Sequence, residues 1–255
     1  MNLFLVSAGF RALGFNNPSG KGKASYLQGS DILIKKLVKK IDDKNNLFLD
    51  VGAEIGTITK IALENTQNLN VICYEPHPEN YRILSQNFRN EKRCKTFQYA
   101  VGSKIGNQIL YDWKKEGTGF ASFYKEALKR ELLPTYGEVS IDFSATVDVV
   151  TLDSIKFENK IEFIKIDVEG NEFEVLKGAK NSIQEHHPQY ILLEFNEMNV
   201  ESKVFLKDLI DFLNNYSPFR IMPGGKTLEL NNPYNPMSHE IFGPQNIIFI
   251  KNEKM

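Results

Sequence analysis

The chain has 255 residues, of which 42% are hydrophobic and 25% charged, the proportions of a soluble globular protein rather than a disordered or membrane-spanning one. With 31 basic and 32 acidic side chains the formal net charge is -1, so no global field attracts a polyanion, and nucleic acid is not expected as a partner. Only two cysteines occur, Cys73 in an apolar run and Cys94 in a polar turn; neither a disulfide framework nor a cysteine-based zinc site is supported, which fits a reducing cytoplasm.

The apolar start, Met1 to Ala8, is short, lacks a basic flank and meets Arg11 early, so no export signal is read there. No apolar run approaches the roughly 20 residues that cross a bilayer. Asn16 to Lys23 reads as a loop, and Ser30 is a plausible cap for a helix whose stripe is Leu33, Ile34, Leu37, Val38 and Ile41. Lys35, Lys36, Lys39 and Lys40 fall largely opposite that stripe, as a solvated face would.

From Leu47 short apolar runs alternate with amphipathic segments: Leu47–Val51, Ile55–Glu64, Val71–Tyr74, Glu79–Phe88 and Thr96–Val101. That alternation predicts a mostly parallel sheet with helices on both faces. It resumes with Ile161–Val168, Glu172–Gln184, Tyr190–Phe195 and Lys203–Leu213, and Phe219–Met222 and Ile247–Ile250 are expected to complete the sheet. Residues 102–160 are too long for an ordinary connection. They contain strand-like stretches at Ile109–Trp113, Phe120–Tyr124 and Val147–Thr151, and a charged helical piece, Lys125–Leu133, that stops before Pro134. The whole reads as one α/β domain over residues 1–255, with a helical lead-in at 1–45 and, at 102–160, a β-rich insertion that is a candidate acceptor lid.

Three clusters carry the chemistry. Asp50-Val-Gly-Ala-Glu-Ile-Gly56 stands where the first strand turns into the first helix. Gly52 permits the tight turn and Gly56 the close approach of helix and strand. The spacing lacks the middle glycine of the dinucleotide fingerprint, which disfavours an NAD-dependent oxidoreductase without removing it as the alternative. Glu75 follows the second strand about twenty residues after the glycines, where a carboxylate accepts hydrogen bonds from both ribose hydroxyls of an adenosine. Lys165-Ile-Asp-Val-Glu-Gly-Asn-Glu172 ends the fourth core strand at the ligand edge, with Lys165 and Asp167 on one side by alternation. A structural ion pair and a catalytic role are both open for these residues. Glu194 ends the next strand. His187 and His239, in Pro-rich or helix-ending segments, read as structural.

Taken in order, Phe48-Leu-Asp-Val-Gly-Ala-Glu-Ile-Gly56, Glu75-Pro-His-Pro78, Thr151-Leu-Asp153, Lys165-Ile-Asp-Val-Glu-Gly-Asn-Glu172, Gly178-Ala179 and Glu194 resemble the FkbM family of methyltransferases dependent on S-adenosyl-L-methionine (SAM). The resemblance runs from about Ser25 to Ile250, and Glu54 stands where the family usually has Asn. It implies a Rossmann-like class I methyltransferase fold with a seven-stranded, mostly parallel sheet. It also implies O-methylation of a sugar, glycan or natural-product hydroxyl. By the same resemblance Asp50, Gly52 and Gly56 would hold the methionine and ribose portion, Glu75 the ribose diol, and His77 would lie beside the adenine. Asp167 and Glu169 would stand nearest the methyl group, with Lys165 in the same catalytic cluster. No metal is expected, although Asp167, Glu169 and Glu194 are of a type that suits a hard cation. A SAM-binding subunit without activity stays open, as does assembly into a homo-oligomer.

Overall fold

A computed structural model of the protein describes residues 29–129, 140–230 and 233–252. The expectations for Met1–Ala8, Asn16–Lys23 and the end of the charged helix before Pro134 fall outside the described residues. The first helix, α1 (Ser30–Val38), buries Leu33, Ile34, Leu37 and Val38 and leaves Lys36 exposed, as its stripe predicts. Its cap is Gly29 rather than Ser30. The backbone there has φ +50°, and a Cβ would lie 2.3 Å from the Met222 carbonyl oxygen, so a side chain is excluded at that position.

The main sheet has eight strands in the order β10-β9-β11-β8-β7-β1-β2-β3. Its parallel part comprises β1 (Asn46–Val51), β2 (Asn70–Tyr74), β3 (Cys94–Phe97), β7 (Lys160–Ile166) and β8 (Tyr190–Phe195). Beyond β8, β11 (Gln245–Lys251) runs antiparallel both to β8 and to β9 (Tyr216–Met222). These are the seven strands the sequence predicts; β10 (Lys226–Glu229) adds an eighth as an antiparallel edge. Between strands run α2 (Thr57–Glu64), α3 (Pro78–Phe88), α5 (Glu172–Lys177), α6 (Lys180–His186), α7 (Met198–Ser202) and α8 (Leu206–Phe212).

Both faces of the sheet are covered, which is why the central strands read as unbroken apolar runs rather than alternating ones. Leu47, Leu49 and Val51 of β1 face one core with Ile164, Ile166, Leu193 and Phe249. Phe48, between them, faces the other with Phe163, Leu192 and Ile248. The predicted helix Glu172–Gln184 is broken in two at Gly178. A Cβ on that residue would lie 1.9 Å from the Gly102 carbonyl oxygen, so the chain narrows where the insertion begins.

The insertion makes a sheet of its own, in the order β4-β6-β5: β4 (Ala100–Val101), β5 (Gly106–Asp112) and β6 (Phe143–Val150), with α4 (Lys125–Lys129) beside it. One expected strand, Thr96–Val101, is thereby divided between two sheets. Phe120–Tyr124, expected as a strand, contributes only a single bridge between Ser122 and Tyr111. Ala100, Leu110, Val147 and Val149 form its small core, and Trp113 donates from Nε1 to the Leu128 carbonyl at 2.9 Å.

Gly56 caps α2 in the left-handed region at φ +91°, and a Cβ there would come within 2.2 Å of the Phe88 ring and 2.8 Å of Leu84. It is a packing residue between α2 and α3. Gly56→Ala is therefore expected to lower stability by about 1–3 kcal/mol, the usual cost of overpacking a filled site. Equilibrium urea unfolding checks this, and an unchanged midpoint would contradict it.

Candidate active site

At the carboxyl ends of β1, β2 and β7, where the strand order reverses, an open cleft meets the insertion. This is the edge at which open α/β sheets hold ligands. One wall is the turn Gly52-Ala53-Glu54 with Glu75, a second is Lys165, Asp167 and Glu169, and a third is Gly119, Ala121 and Phe123 from the insertion.

The first wall rests on backbone geometry. Gly52 has φ +75°, and a Cβ there would sit 1.8 Å from the Asp167 carbonyl oxygen, so the turn closes against β7 only with glycine. Glu54 follows at φ +51°, an unusual conformation for a glutamate. Its amide donates to Glu75 Oε2 at 2.8 Å, and the His77 amide donates to Glu75 Oε1 at 2.8 Å. Each oxygen keeps a lone pair for a further donor. Burial pushes the Glu75 carboxyl up to about 7, against the pull of those two amides.

Behind the cleft lies a buried ionic cluster. Asp50 and Lys165 are register partners on neighbouring parallel strands, and Lys165 Nζ stands 3.1 Å from Asp50 Oδ1. The same ammonium donates to the Gly52 carbonyl at 2.7 Å and lies 3.4 Å from Asp167 Oδ2. Thr59 of α2 donates to Asp50 Oδ2 at 2.7 Å. Burial pulls the Lys165 ammonium down, but Asp50 and Asp167 outweigh it and hold the group above its ordinary value. Lys165 thus has its donors engaged by the protein itself.

Asp167, Glu169 and Glu194 each bring a carboxylate oxygen within 4.8 Å of the others, close enough to hold a metal ion. Asn196 donates to Glu169 Oε2 at 3.2 Å and to Glu194 Oε2 at 2.9 Å. Burial first, and the Asp167 charge second, push both Glu169 and Glu194 well above the usual carboxylate range. Glu169 also has positive φ, +53°, followed by Gly170 at +101°. Glu172 secures this turn by accepting the Val168 and Gly170 amides at 3.2 and 3.1 Å.

The structure brings Gly52, Glu75, Lys165, Asp167 and Glu169 to one cleft and sets three predicted residues behind it. Asp50 is fully buried beneath Lys165, so it acts through that lysine rather than on a ligand. Gly56 packs α2 on α3, as described above. His77 does not lie along the cleft. Its ring is fully buried 4.4 Å from that of Phe143, with Nε2 3.7 Å from Asp112 Oδ2, because the insertion closes over the turn after Glu75. Burial holds its pKa below the ordinary value despite Asp112. Tyr99, Ala100 and Val101 line the cleft at this end instead.

Sequence reasoning passed over Asn80, Tyr99 and Asn196, and noted Glu54 only as a departure from the family's usual Asn. Only Asn196 left a signal, standing two residues after Glu194 and so on the same side of the strand by alternation. Asp112 was also missed. It accepts the Trp113 and Thr118 amides and holds the Gly117–Gly119 turn over the cleft, where a Cβ on Gly117 would meet Asn80 Oδ1 at 2.2 Å.

A glycine turn after the first strand, a carboxylate after the second and an acidic cluster after the fourth define the class of site that the sequence resemblance implied. Residues 50–218 match the family described as the methyltransferase FkbM domain, and the chain belongs to that family. Hexuronic acid methyltransferase AglP of Haloferax volcanii is 27% identical over 162 residues, covering 62% of this chain and 59% of that protein. The 2-O-methyltransferase NoeI of Sinorhizobium fredii is 21% identical over 197 residues, 75% of this chain and 80% of the relative. The chain thus matches less than two thirds of the first relative and most of the second.

The cluster makes two carboxylates experimentally distinct. Lys165→Met leaves the wholly buried Asp50 carboxylate unneutralised and is expected to cost about 3–5 kcal/mol. Asp167→Asn leaves Lys165 paired with Asp50, and the Asp167 side chain is 37% exposed, so the loss should stay within about 1 kcal/mol. Urea unfolding of both variants measures the difference; equal losses would contradict this division of roles.

Proposed function

We propose that this protein is a SAM-dependent O-methyltransferase that acts in the cytoplasm on a hydroxyl of a sugar or glycan. The observation that carries the reading is that Glu75, the Gly52–Glu54 turn and the Asp167–Glu169 pair face one another across a single cleft. Family membership supports the reaction, and the names of the two relatives support a carbohydrate acceptor. Among the described residues no helix is long and apolar enough to cross a membrane.

The residues present fit this cofactor: a desolvated carboxylate with spare lone pairs suits a ribose diol, and an acid-lined cleft suits a cationic sulfonium. When bound, SAM supplies a methyl group already made electrophilic by its sulfonium. The protein's work is therefore orientation, exclusion of water and removal of one proton. Glu75 holds the ribose hydroxyls, and the backbone of Gly52 to Glu54 holds the methionine end. The insertion, residues 102–160, is the acceptor-side lid, with Gly119, Ala121 and Phe123 as its inner surface. Glu169 takes the proton from the acceptor hydroxyl, since burial and the neighbouring Asp167 make it a stronger base than an ordinary carboxylate. Asp167, fixed by Lys165, orients that hydroxyl.

SAM should bind and NAD should not, as measured by calorimetric titration; NAD affinity without a response to SAM would favour an oxidoreductase instead. Glu75→Ala should weaken SAM at least about tenfold, because each charge-assisted bond is worth roughly 1.5–3 kcal/mol. The Glu75 carboxyl is raised to about 7, so it gains protons as pH falls below neutrality and loses acceptor strength. SAM affinity should accordingly drop between pH 8 and pH 6 (about one unit either side of that value), and Glu75→Gln should flatten the profile.

Turnover should rise with pH as Glu169 loses its proton, given the upward shift of that group. Glu169→Gln should keep SAM affinity within a few-fold and lower turnover by on the order of 10²–10⁴, the usual contribution of a positioned base. Assays on a panel of nucleotide sugars and oligosaccharides test this. Full turnover by a folded, SAM-binding Glu169→Gln protein would remove Glu169 from the chemistry.

A further inference from the structure

Cys73 and Cys94 sit on the adjacent parallel strands β2 and β3, with Val71 opposite Cys94 and Cys73 opposite Thr96. Their sulfurs are 3.8 Å apart, Cys73 fully buried and Cys94 half-buried. We propose that this pair is a redox modification site, which a hydroperoxide converts reversibly into a disulfide, and that the buried ionic cluster under the cleft reads its state. A disulfide needs the sulfurs to close to about 2.05 Å, and because the two cysteines are diagonal in the ladder, closure also draws the edge strand β3 locally along β2.

The hydrogen bonds have a direction. Thr59 has one hydroxyl proton and gives it to Asp50 Oδ2 at 2.7 Å. The contact between Thr59 Oγ1 and Cys73 Sγ, 3.0 Å, therefore has the Cys73 thiol as donor. The Cys73 thiol proton being committed, the contact between the two sulfurs has Cys94 as donor. A chain of donors thus runs from Cys94 through Cys73 and Thr59 to Asp50, which stands 3.1 Å from Lys165 Nζ, itself bonded to the Gly52 carbonyl and paired with Asp167. Oxidation removes both thiol protons, the two donors at its head.

The chemistry balances. The Cys94 sulfur, the more accessible of the two, attacks a peroxide oxygen; an S–O bond forms, the O–O bond breaks, and the leaving oxygen departs as water with the thiol proton. The Cys73 sulfur then attacks the oxidised Cys94 sulfur; the S–S bond forms, and the hydroxyl leaves as a second water with the Cys73 proton. Two electrons pass from the sulfurs to the peroxide, and an external dithiol returns them.

The test uses the whole chain, reduced, then treated with hydrogen peroxide and freed of it. Non-reducing intact and peptide mass should show the loss of two hydrogens and a Cys73–Cys94 cross-link. Lys165 should become more reactive toward an amine-labelling reagent as its cluster loosens, and SAM affinity should fall by roughly two- to tenfold, the range that one lost neutral hydrogen bond corresponds to. Dithiothreitol should reverse all three. Cys94→Ser should bind SAM like the untreated parent and show none of these responses. Oxidation to sulfinic or sulfonic acid alone, or a cross-link that leaves Lys165 labelling and SAM affinity unchanged, would overturn the proposal. The SAM arm rests on the proposed function. If the reduced protein bound no SAM, that reading would fail, while mass and Lys165 labelling would still decide the thiol site.

Discussion

The Lys165 ammonium, set between β1 and β7 and 6% exposed, is the interaction on which the site depends. A lone ammonium at such depth would lose its proton or leave the interior; it stays charged because Asp50 lies opposite it in register, with Asp167 alongside. Its third bond, to the Gly52 carbonyl, ties the glycine turn to the fourth core strand. One cation thereby fixes two of the three walls of the cleft.

The carboxylates around that cation divide by depth. Asp50 is sealed and neutralised, whereas Asp167 opens to the cleft and keeps part of its hydration. Glu169 and Glu194 are desolvated beside Asp167 with an amide rather than a cation between them, so they hold protons more tightly than ordinary carboxylates. Burial sets that tighter hold first, and the Asp167 charge second.

Much of the fold was legible because strands buried on both faces write continuous apolar runs and helices write a 3.6-residue period. The order Leu47–Val51, Val71–Tyr74, Ile161–Val168 and Tyr190–Phe195 needs little more. The breaks were harder to see. The division of Thr96–Val101 between two sheets and the interruption of a helix at Gly178 arise from contacts with Gly102 and the insertion, residues distant in sequence from each break. At the site, Gly52, Glu75 and the Lys165–Glu169 segment were legible because each stands just after a strand. His77, expected there through the family resemblance, and Asp50, near the end of the first strand, lie behind the wall instead. Position after a strand specifies the edge of the sheet and not how much protein closes over it, and the closure over His77 comes from Asp112 and Phe143, 35 and 66 residues further along the chain in the insertion.

Glu54 and Glu169 both keep a bulky acidic side chain at a backbone angle of about +50°, where a residue with a Cβ is held at a cost of roughly 1–3 kcal/mol. Asparagine tolerates that region better and glycine better still. At these two positions conformational ease and chemical usefulness pull apart: a search for variants that resist heat would drift toward the smaller residues and erase acidity from the cleft. The most thermally robust descendants of this chain and the most active ones are thus expected to diverge first at Glu54 and Glu169.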